Sequence, residues 1–287
     1  MNVLVTGAAS PLGTAVCREL RMGKARITGT LRPGGNMIDK ALLDHVLYID
    51  LAEASDFAKI TETYDAIIHV ASLSEGSPIE LMKVTGLSAW HLLNRAVATG
   101  TKTLVHVSSM SVYGEPQDSP VSATSPIRHT TPYGAAKWAA ECFLASCAKT
   151  VRCVSVRAPA IVGRRSHRHF LARTLELMKL QSPNVPVSNP DFMFNNIIHE
   201  STLARFLITL IDSTPPSFVA MPVASIEPIP LRELVSNLAL AVSYEGVIDW
   251  LPSLRLPFSI DSDLAVSLGL EQLSTGATLD LWLADVQ

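Results

Sequence analysis

The chain has 287 residues, enough for one large domain or two smaller ones with a sizeable core. Its 23 basic and 26 acidic residues leave a net charge of −3, which gives no reason to expect a nucleic acid as partner. Hydrophobic residues make up 48% of the chain, yet no apolar run approaches the ~18 residues of a membrane span. Because the first predicted strand begins at Asn2 or Val3, no room is left for a signal peptide, and we expect a cytoplasmic protein with no membrane partner.

Short apolar runs alternate with helical patterns along the first half of the chain. The runs are rich in Val, Ile and Leu without strict polar alternation, which is typical of strands covered on both faces. We predict strands at Val3–Thr6, Arg26–Leu31, His45–Ile49, Ala66–Val70, Thr103–Ser108 and Cys153–Arg157, with helices between them, most clearly Ile79–Thr99 and Pro132–Ala148. This order predicts an α/β fold with a doubly wound parallel sheet.

The segment after the first predicted strand has the pattern of a phosphate-binding turn. Gly7 and Gly13 flank this turn, and Ser10, Pro11 and Leu12 lie between them before the next helix. Glycines at such a corner let the backbone turn sharply and approach a pyrophosphate, which the helix N-terminus then stabilises. A plain strand–turn–helix corner is the alternative, and the position directly after the first strand favours a phosphate site.

Three further strand ends carry candidate cofactor contacts. Arg32 follows the second strand, where a site for NAD usually has an acid that accepts hydrogen bonds from the ribose. A guanidinium suits a 2′-phosphate instead, so Arg32 favours NADP(H) over NAD(H), with a solvated loop arginine as the alternative. The other candidates end the third and fourth strands at the edge where open α/β sheets bind ligands: Asp50, Leu51, Val70, Ala71 and Ser72.

Ser109, Tyr133 and Lys137 supply the candidate chemistry. Tyr133 and Lys137 are four residues apart on a predicted helix, so they share one face and the ammonium can lie beside the phenol. A free phenol titrates near pH ~10, and a cation about 4 Å away supplies roughly the 4 kcal/mol needed to bring that pKa near neutrality. Ser109 adds a hydroxyl that can hold a substrate carbonyl or alcohol oxygen. The set is suited to moving a proton on and off a carbinol while a hydride leaves or arrives; an ordinary helix-surface pair is the alternative.

The organisation changes after Gly163. A basic stretch begins there, and its Arg164, Arg165 and Arg168 either bind a substrate phosphate or form a solvated turn. The two histidines of this stretch have no third ligand nearby, so no metal site is predicted. Prolines recur later in the chain, which indicates short elements rather than further α/β repeats.

Together these motifs resemble an extended short-chain dehydrogenase/reductase of the NAD-dependent epimerase/dehydratase family, over nearly the whole chain. The similar segments are the phosphate loop, Asp50-Leu51, His69-Val70-Ala71, residues 108–114, residues 133–137, residues 157–163, residues 258–261 and residues 268–270. The resemblance implies a Rossmann-type NAD(P)-binding domain over residues 1–163. It implies a mainly substrate-binding lobe over residues 164–287, with a segment at about 197–212 that returns to the first domain.

The resemblance also implies roles for the candidate catalytic residues. Tyr133 is expected to be the proton donor or acceptor, and Lys137 its electrostatic partner and a ribose ligand, so that both also contact the cofactor. Ser109 is expected to be the triad serine, and Ser111 is the runner-up. A homodimer is expected through two helices with broad apolar faces, whose residues are Leu87, Trp90, Leu93, Val97, Ala136, Ala139, Ala140 and Phe143. Packing of those faces on the sheet is the alternative.

Several departures from the family pattern bear on the reaction and the substrate. Ser10 stands at the middle glycine of the phosphate loop, where its Cβ crowds a pyrophosphate although its hydroxyl is able to donate to one. Met110 and Ser111 replace the Asp-Glu pair of sugar-nucleotide dehydratases, so elimination of water is not expected. Asn195 replaces an arginine that grips the diphosphate in members acting on nucleotide sugars, and it is kept only as a candidate substrate contact.

We therefore expect an NAD(P)-dependent reductase or epimerase that transfers a hydride at a secondary alcohol or carbonyl carbon of a sugar-like or small carbonyl substrate. Arg32 favours net reduction, since NADPH is the usual reductant. The alternative is a non-catalytic NAD(P)-sensing protein with the same fold, against which the retention of Tyr133 and Lys137 argues.

Overall fold

A seven-stranded parallel sheet forms the centre of the computed structural model, which describes residues 1–128, 131–146, 150–166, 169–213, 218–252 and 256–286. Its strands are β1 (Asn2–Thr6), β2 (Arg26–Leu31), β3 (His45–Tyr48), β4 (Ala66–His69), β5 (Thr103–Ser109), β6 (Arg152–Ala158) and β11 (Val219–Pro222). They lie in the order β11-β6-β5-β4-β1-β2-β3, and every neighbouring pair is parallel. The order reverses between β1 and β4, which is the point where open α/β sheets bind ligands.

Helices cover both faces of this sheet. The helices of the described residues are, in chain order, α1 (Pro11–Met22), α2 (Pro78–Leu81), α3 (Ser88–Thr99), α4 (Pro132–Ser146), α5 (Phe170–Lys179), α6 (Glu200–Ser213), α7 (Leu231–Ala241), α8 (Asp263–Ser267) and α9 (Thr275–Val286). Of these, α1 and α6 cover one face of the sheet, and α3 and α4 cover the other. Successive strand residues point to opposite faces, so Val3 and Val5 pack against α1 and α6 whereas Leu4 packs on the side of α3 and α4. The predicted doubly wound parallel sheet is confirmed. None of the helices in the described ranges is long and apolar enough to cross a membrane.

The predicted strands agree with the observed ones to within one residue at each end. The predicted helix Ile79–Thr99 is instead divided, because a π-helical segment (Met82–Leu87) separates α2 from α3. Gly86 lies in this segment, and a Cβ there would come within 2.7 Å of the Met82 sulfur and 3.3 Å of the Ala136 carbonyl oxygen. The widened turn therefore passes close to the helix that carries Lys137. The predicted end of α4 at Ala148 lies outside the described residues.

A second, smaller core lies in the later part of the chain. Three short strand pairs surround it: β7 (Ala160–Val162) with β10 (Ile197–His199), β8 (Asn184–Ser188) with β13 (Val247–Leu251), and β9 (Met193–Phe194) with β12 (Ile229–Pro230). Side chains of α5, α7 and α9 fill it, and Trp282 is 1% exposed there. Helix α6 packs instead on α1, where Leu203, Phe206 and Leu207 join the core of the large sheet.

The helix faces expected to form a homodimer are partly used within the chain. Leu93, Ala136 and Ala140 are fully buried, and the rings of Trp90 and Phe143 lie 5.7 Å apart where α3 meets α4. The homodimer stays a prediction.

Candidate functional site

The turn between β1 and α1 depends on its two glycines. Gly7 has φ +68°, a conformation that L side chains rarely adopt, and a Cβ there would lie 2.8 Å from the Ala71 Cα. A Cβ on Gly13 would overlap the Gly7 carbonyl oxygen, so α1 starts directly against the turn. The ends of β1 and β4 therefore approach each other closely beside the N-terminus of α1. This is a backbone cradle of the kind that accommodates a pyrophosphate.

Ser10 begins α1 as its N-cap. Its Oγ accepts a hydrogen bond from the Gly13 N–H at 3.0 Å, which satisfies one of the orphan donors of the first turn. The first turn reads Pro11-Leu12-Gly13-Thr14 and so carries no acidic side chain that would repel an anion. Ser10 therefore shapes the loop by capping α1. From the sequence, Ser10 was considered only as a replacement for the middle glycine, and this capping contact was not predicted.

Polar contacts join the ends of three strands around this turn. The Thr6 hydroxyl lies 2.7 Å from His69 Nδ1 and accepts from the Ala71 N–H at 3.4 Å. The Gly7 N–H donates to Thr30 Oγ1 at 3.3 Å, which ties in the end of β2. The predicted cofactor residues at the end of β4, namely Val70, Ala71 and Ser72, therefore border the phosphate loop.

Arg32 and Asp50 lie at the ends of β2 and β3. Arg32 is exposed and heads a turn in which its carbonyl oxygen accepts from the Gly35 N–H at 2.9 Å. Asp50 is half-buried, and its Oδ1 accepts from the Ala52 N–H at 3.0 Å, so this carboxylate shapes the turn after β3. Leu51 is half-buried against the core beside it. Their predicted cofactor contacts stay predictions.

The segment at the end of β5 that carries Ser109 and Ser111 lies against the start of α4, which carries Tyr133. The Ser109 hydroxyl donates to Ser111 Oγ at 3.1 Å and accepts from the Ser111 N–H at 3.1 Å. A Cβ on Gly134 would overlap the Ser111 carbonyl oxygen, which places the first turn of α4 directly against this segment. Tyr133 is half-buried and precedes Gly134, so its backbone lies next to the segment that carries both serines.

Lys137 lies beneath them and is 1% exposed. Its Nζ donates to the Val107 carbonyl oxygen at 2.6 Å and lies 5.9 Å from the centroid of the Tyr133 ring. Burial lowers the pKa of Lys137 from 10.5 to about 7, against the opposing effect of the negative charge on Glu141. The ammonium thus lies near the Tyr133 ring, and its charge depends on pH near neutrality.

A buried ion pair behind Lys137 was not predicted. Glu141 is fully buried one helical turn after Lys137, and its carboxylate accepts from Ser108 Oγ at 2.5 Å and from Arg157 Nη2 at 2.7 Å. Arg157 also donates to the hydroxyl of Tyr113 at 2.7 Å. The i, i+4 spacing of Lys137 and Glu141 would have indicated that this acid lies near Lys137, but not that it pairs with Arg157. The network fixes α4 against β5 and β6 at the candidate site.

Two stacked histidines share this interior. The rings of His69 and His106 lie 5.4 Å apart, on the neighbouring strands β4 and β5. Burial, and to a smaller extent the positive charge on Lys137, lower the pKa of His69 to about 3. Burial, the charge on Lys137 and the charge on His69 hold the pKa of His106 well below its ordinary value. Both rings are thus neutral at pH 7. Among these three groups, Lys137 is the one able to carry positive charge beside Tyr133.

The residues predicted to contact the substrate form hydrogen bonds and ion pairs with different parts of the chain. Arg164 pairs with Asp285 on α9 at 3.2 Å, whereas Arg165 reaches Thr14 on α1 at 3.1 Å. Asn195 is 4% exposed, and its amide is bonded to the backbone of Ser225 and Ile260 at 2.8–3.1 Å. Arg168 lies outside the described residues. Within the ranges that the structure describes, no cluster of three or more His, Cys, Asp or Glu side chains is placed to hold a metal ion.

Comparisons with known proteins identify the family of the chain. The family model of the NAD dependent epimerase/dehydratase family matches residues 3–190. UDP-arabinose 4-epimerase 1 of Arabidopsis thaliana is 31% identical over 157 residues, which are 49% of this chain and 38% of that protein. The dTDP-glucose 4,6-dehydratase of Streptomyces niveus is 27% identical over 166 residues, which are 49% of this chain and 47% of that protein. The chain thus spans less than half the length of these curated relatives.

Solved structures share the fold over nearly the whole chain. The UDP-glucuronic acid 4-epimerase from Bacillus cereus, in complex with NAD, superposes with a TM-score of 0.85 at 18% identity, and the match covers 99% of this chain and 98% of that one.

Proposed function

Because the chain belongs to the NAD-dependent epimerase/dehydratase family, we propose that it is an enzyme that moves a hydride at a secondary alcohol carbon of a sugar-like substrate. The proposal is supported by the Ser109–Ser111 segment that lies against the start of α4, and by the Lys137 Nζ 5.9 Å from the centroid of the Tyr133 ring. A nicotinamide dinucleotide supplies and takes back the hydride when it is bound. The cradle formed by Gly7, Gly13 and the capped end of α1 has the shape and polarity that its pyrophosphate needs.

The proposed roles follow from the positions of the side chains. In the reduction direction Tyr133 gives its phenolic proton to the forming alkoxide, and in the opposite direction it takes that proton back. Ser109 hydrogen-bonds the same substrate oxygen, with Ser111 as the alternative, since the two hydroxyls are 3.1 Å apart. The Lys137 ammonium stabilises the phenolate by its charge. Lys137 and Tyr133 also contact the cofactor ribose in this proposal.

The cofactor-binding residues are proposed along the edge of the sheet. Gly7, Ser10, Pro11, Leu12 and Gly13 surround the pyrophosphate, and Val70, Ala71 and Ser72 lie beside it at the end of β4. Asp50 and Leu51 lie near the adenine. Contacts of Arg164 and Asn195 with the substrate stay predictions.

Epimerisation is the leading reaction within this proposal. UDP-arabinose 4-epimerase 1, the more similar of the two relatives quoted above, is a 4-epimerase of a nucleotide sugar. The same catalytic set epimerises a substrate if the oxidised intermediate turns its other face to the hydride. The second relative is a dehydratase, but Met110 and Ser111 occupy the positions of the dehydratase acids here, which argues against elimination of water. Net reduction is the second candidate reaction, and Arg32 is the observation that favours it.

The test follows a substrate label. Purified protein is supplied with NAD(H) or NADP(H) and with UDP-sugars that carry deuterium at C4. Epimerisation predicts the C4 epimer with the deuterium retained and no net change in nicotinamide absorbance. Reduction predicts oxidation of NADPH in step with a keto substrate. A protein that binds the dinucleotide and turns over no substrate of a broad sugar and carbonyl panel would be the non-catalytic sensor.

For the cofactor we propose NADP(H) over NAD(H), on the basis of Arg32 at the end of β2. Replacing Arg32 with Ala is expected to raise the dissociation constant of NADPH by about tenfold to a hundredfold, because a charged hydrogen bond to the 2′-phosphate is lost. The dissociation constant of NADH serves as the internal control and is expected to stay unchanged. Fluorescence titration of both reduced cofactors measures the two values.

Either of two outcomes would overturn this cofactor assignment. The Bacillus cereus neighbour contains NAD, so the alternative has a concrete precedent in the same fold. Tighter binding of NADH than of NADPH by the wild type, or an equal effect of the substitution on both, would show that Arg32 does not bind a 2′-phosphate.

A further inference from the structure

The turn after β7 carries two adjacent arginines that reach different parts of the molecule. Arg164 Nε pairs with Asp285 Oδ1 on α9, and the Arg164 side chain is 65% exposed. Arg165 Nη2 instead donates to Thr14 Oγ1 at 3.1 Å and to the Ala9 carbonyl oxygen at 3.4 Å. One of the two guanidinium groups is thus placed against the turn between β1 and α1, 151 residues away in the chain.

A buried acid holds this turn in place. Gly163 precedes the two arginines, and a Cβ there would overlap the carboxyl group of Glu200, which is 7% exposed. The Glu200 carboxylate also accepts a hydrogen bond from the Arg164 backbone N–H. Burial, and then the negative charge of Asp285, raise the pKa of Glu200, while the N–H of Arg164 and the positive charges of Arg18 and Arg165 oppose this. The backbone on which Arg165 stands is therefore anchored, although both arginine residues are exposed.

The place that Arg165 reaches is suited to an anion. The N-terminus of α1 presents backbone N–H groups and the positive end of the helix dipole, and no acidic side chain lies in its first turn. Guanidinium groups bind phosphate oxygens through charge-assisted, commonly paired hydrogen bonds. Thr14 and Ala9 hold the guanidinium beside this end of the helix.

We propose that Arg165 binds the pyrophosphate of the dinucleotide cofactor, so that the later lobe of the chain contributes a ligand to the cofactor site. The inference rests on the proposed function. The basic stretch was first considered as a site for a substrate phosphate. The inference instead assigns Arg165 to the cofactor.

The sheet order separates the two candidate phosphates. Ala9 and Thr14 follow β1, whereas Ser109 and Tyr133 lie at the end of β5, and β4 stands between these strands. Neighbouring strands are about 4.8 Å apart, so β1 and β5 are separated by roughly 10 Å. Arg165 is therefore on the side of the phosphate loop and away from the reacting group of the substrate. The diphosphate of a nucleotide sugar is the competing ligand, and the experiment separates it from the cofactor.

The experiment compares Arg165 variants with a matched neighbour. NADH and UDP are titrated separately into the wild type, Arg165→Ala, Arg165→Gln and Arg164→Ala, with NADPH in place of NADH if the wild type binds NADPH more tightly, and thermal melting without ligand checks the fold. Arg165→Ala is expected to raise the dissociation constant of NADH by about tenfold to a hundredfold and to leave that of UDP unchanged. Arg164→Ala removes a charge from the adjacent residue and is expected to leave the affinity for NADH unchanged.

Arg165→Gln distinguishes phosphate binding from a purely structural role. Glutamine can still donate to the Ala9 carbonyl oxygen and to Thr14, but it carries no charge, so it is expected to weaken NADH binding as alanine does. Retained NADH affinity in Arg165→Gln would mean that Arg165 only supports the loop, and would overturn the inference. Weaker UDP binding with unchanged NADH binding would assign Arg165 to the substrate and overturn it as well. A wild type that binds neither NADH nor NADPH would refute the proposed function itself, and the inference with it.

Discussion

Replacing Tyr133 with Phe is expected to lower kcat by about 10²–10⁴-fold and to raise the dissociation constant of the cofactor by less than about tenfold, because only one hydrogen bond to the ribose is lost. The substitution removes only the phenolic oxygen, and the ring keeps its place beside Lys137, whose Nζ is 5.9 Å from the ring centroid. Without the hydroxyl, no group at this position gives a proton to the alkoxide or takes one from the alcohol. Steady-state turnover and cofactor fluorescence titration on the same preparation measure the two quantities.

A second tyrosine in the chain offers a matched control. The Tyr244 hydroxyl donates to the Ser182 carbonyl oxygen at 2.7 Å in the later lobe, so Tyr244→Phe makes the same chemical change away from β5. Its kcat is expected to equal that of the wild type. Wild-type turnover in Tyr133→Phe would refute the assignment of the proton donor. Loss of cofactor affinity together with turnover would assign Tyr133 to binding rather than to proton transfer.

Replacing Lys137 with Met is expected to abolish turnover and at the same time to stabilise the folded protein below neutral pH. Burial lowers the pKa of Lys137 to about 7, whereas in the unfolded chain the same group titrates near its ordinary value of 10.5. Below pH ~7 both states are protonated, and the folded state bears the full penalty of the buried charge. At about 1.36 kcal/mol per pKa unit this penalty is of the order of 4–5 kcal/mol.

The pH dependence has a definite sign. Between pH ~7 and ~10.5 the unfolded chain binds more protons than the folded one, so the wild-type free energy of unfolding rises with pH. Methionine does not titrate, so the variant lacks this rise. The variant also loses the hydrogen bond from Lys137 to the Val107 carbonyl oxygen, which offsets about 1.5–3 kcal/mol of its gain. A net stabilisation of roughly 1–3 kcal/mol near pH 6 is expected, shrinking and then reversing as the pH rises.

Urea unfolding of the wild type and Lys137→Met at about pH 6 and about pH 9 measures this difference. Lys102→Met is the control, because Lys102 is exposed and the same change there removes a solvated charge. Parallel pH dependence of the unfolding free energy in the wild type and Lys137→Met would show that Lys137 is not buried as a charge near neutrality. Residues that are needed for activity commonly lower the free energy of unfolding of the protein that carries them.

The sequence by itself determined six of the seven strands of the sheet and predicted the candidate catalytic set. Strands such as Arg26–Leu31 were recognised because a doubly covered strand is a short run of branched apolar residues, and this signal is local. Tyr133 and Lys137 were paired for the same reason, since helical geometry alone puts residues four apart on one face. The π-helical segment at Met82–Leu87 was not predicted. It accommodates the close contact of Gly86 with α4, and that helix lies about 50 residues further along the chain, so local periodicity does not reveal it.

Only the tertiary structure decided where the charged and polar side chains go. Arg164 and Arg165 are adjacent and chemically identical, yet one reaches Asp285 and the other Thr14, 151 residues away. Asn195 is bonded to the backbone of Ile260, 65 residues on, and the environment that lowers the pKa of Lys137 is assembled from β4, β5 and α4. Contacts of this kind depend on how the helices and strands pack together. That packing is determined by side chains far apart in the chain, which local periodicity does not reveal.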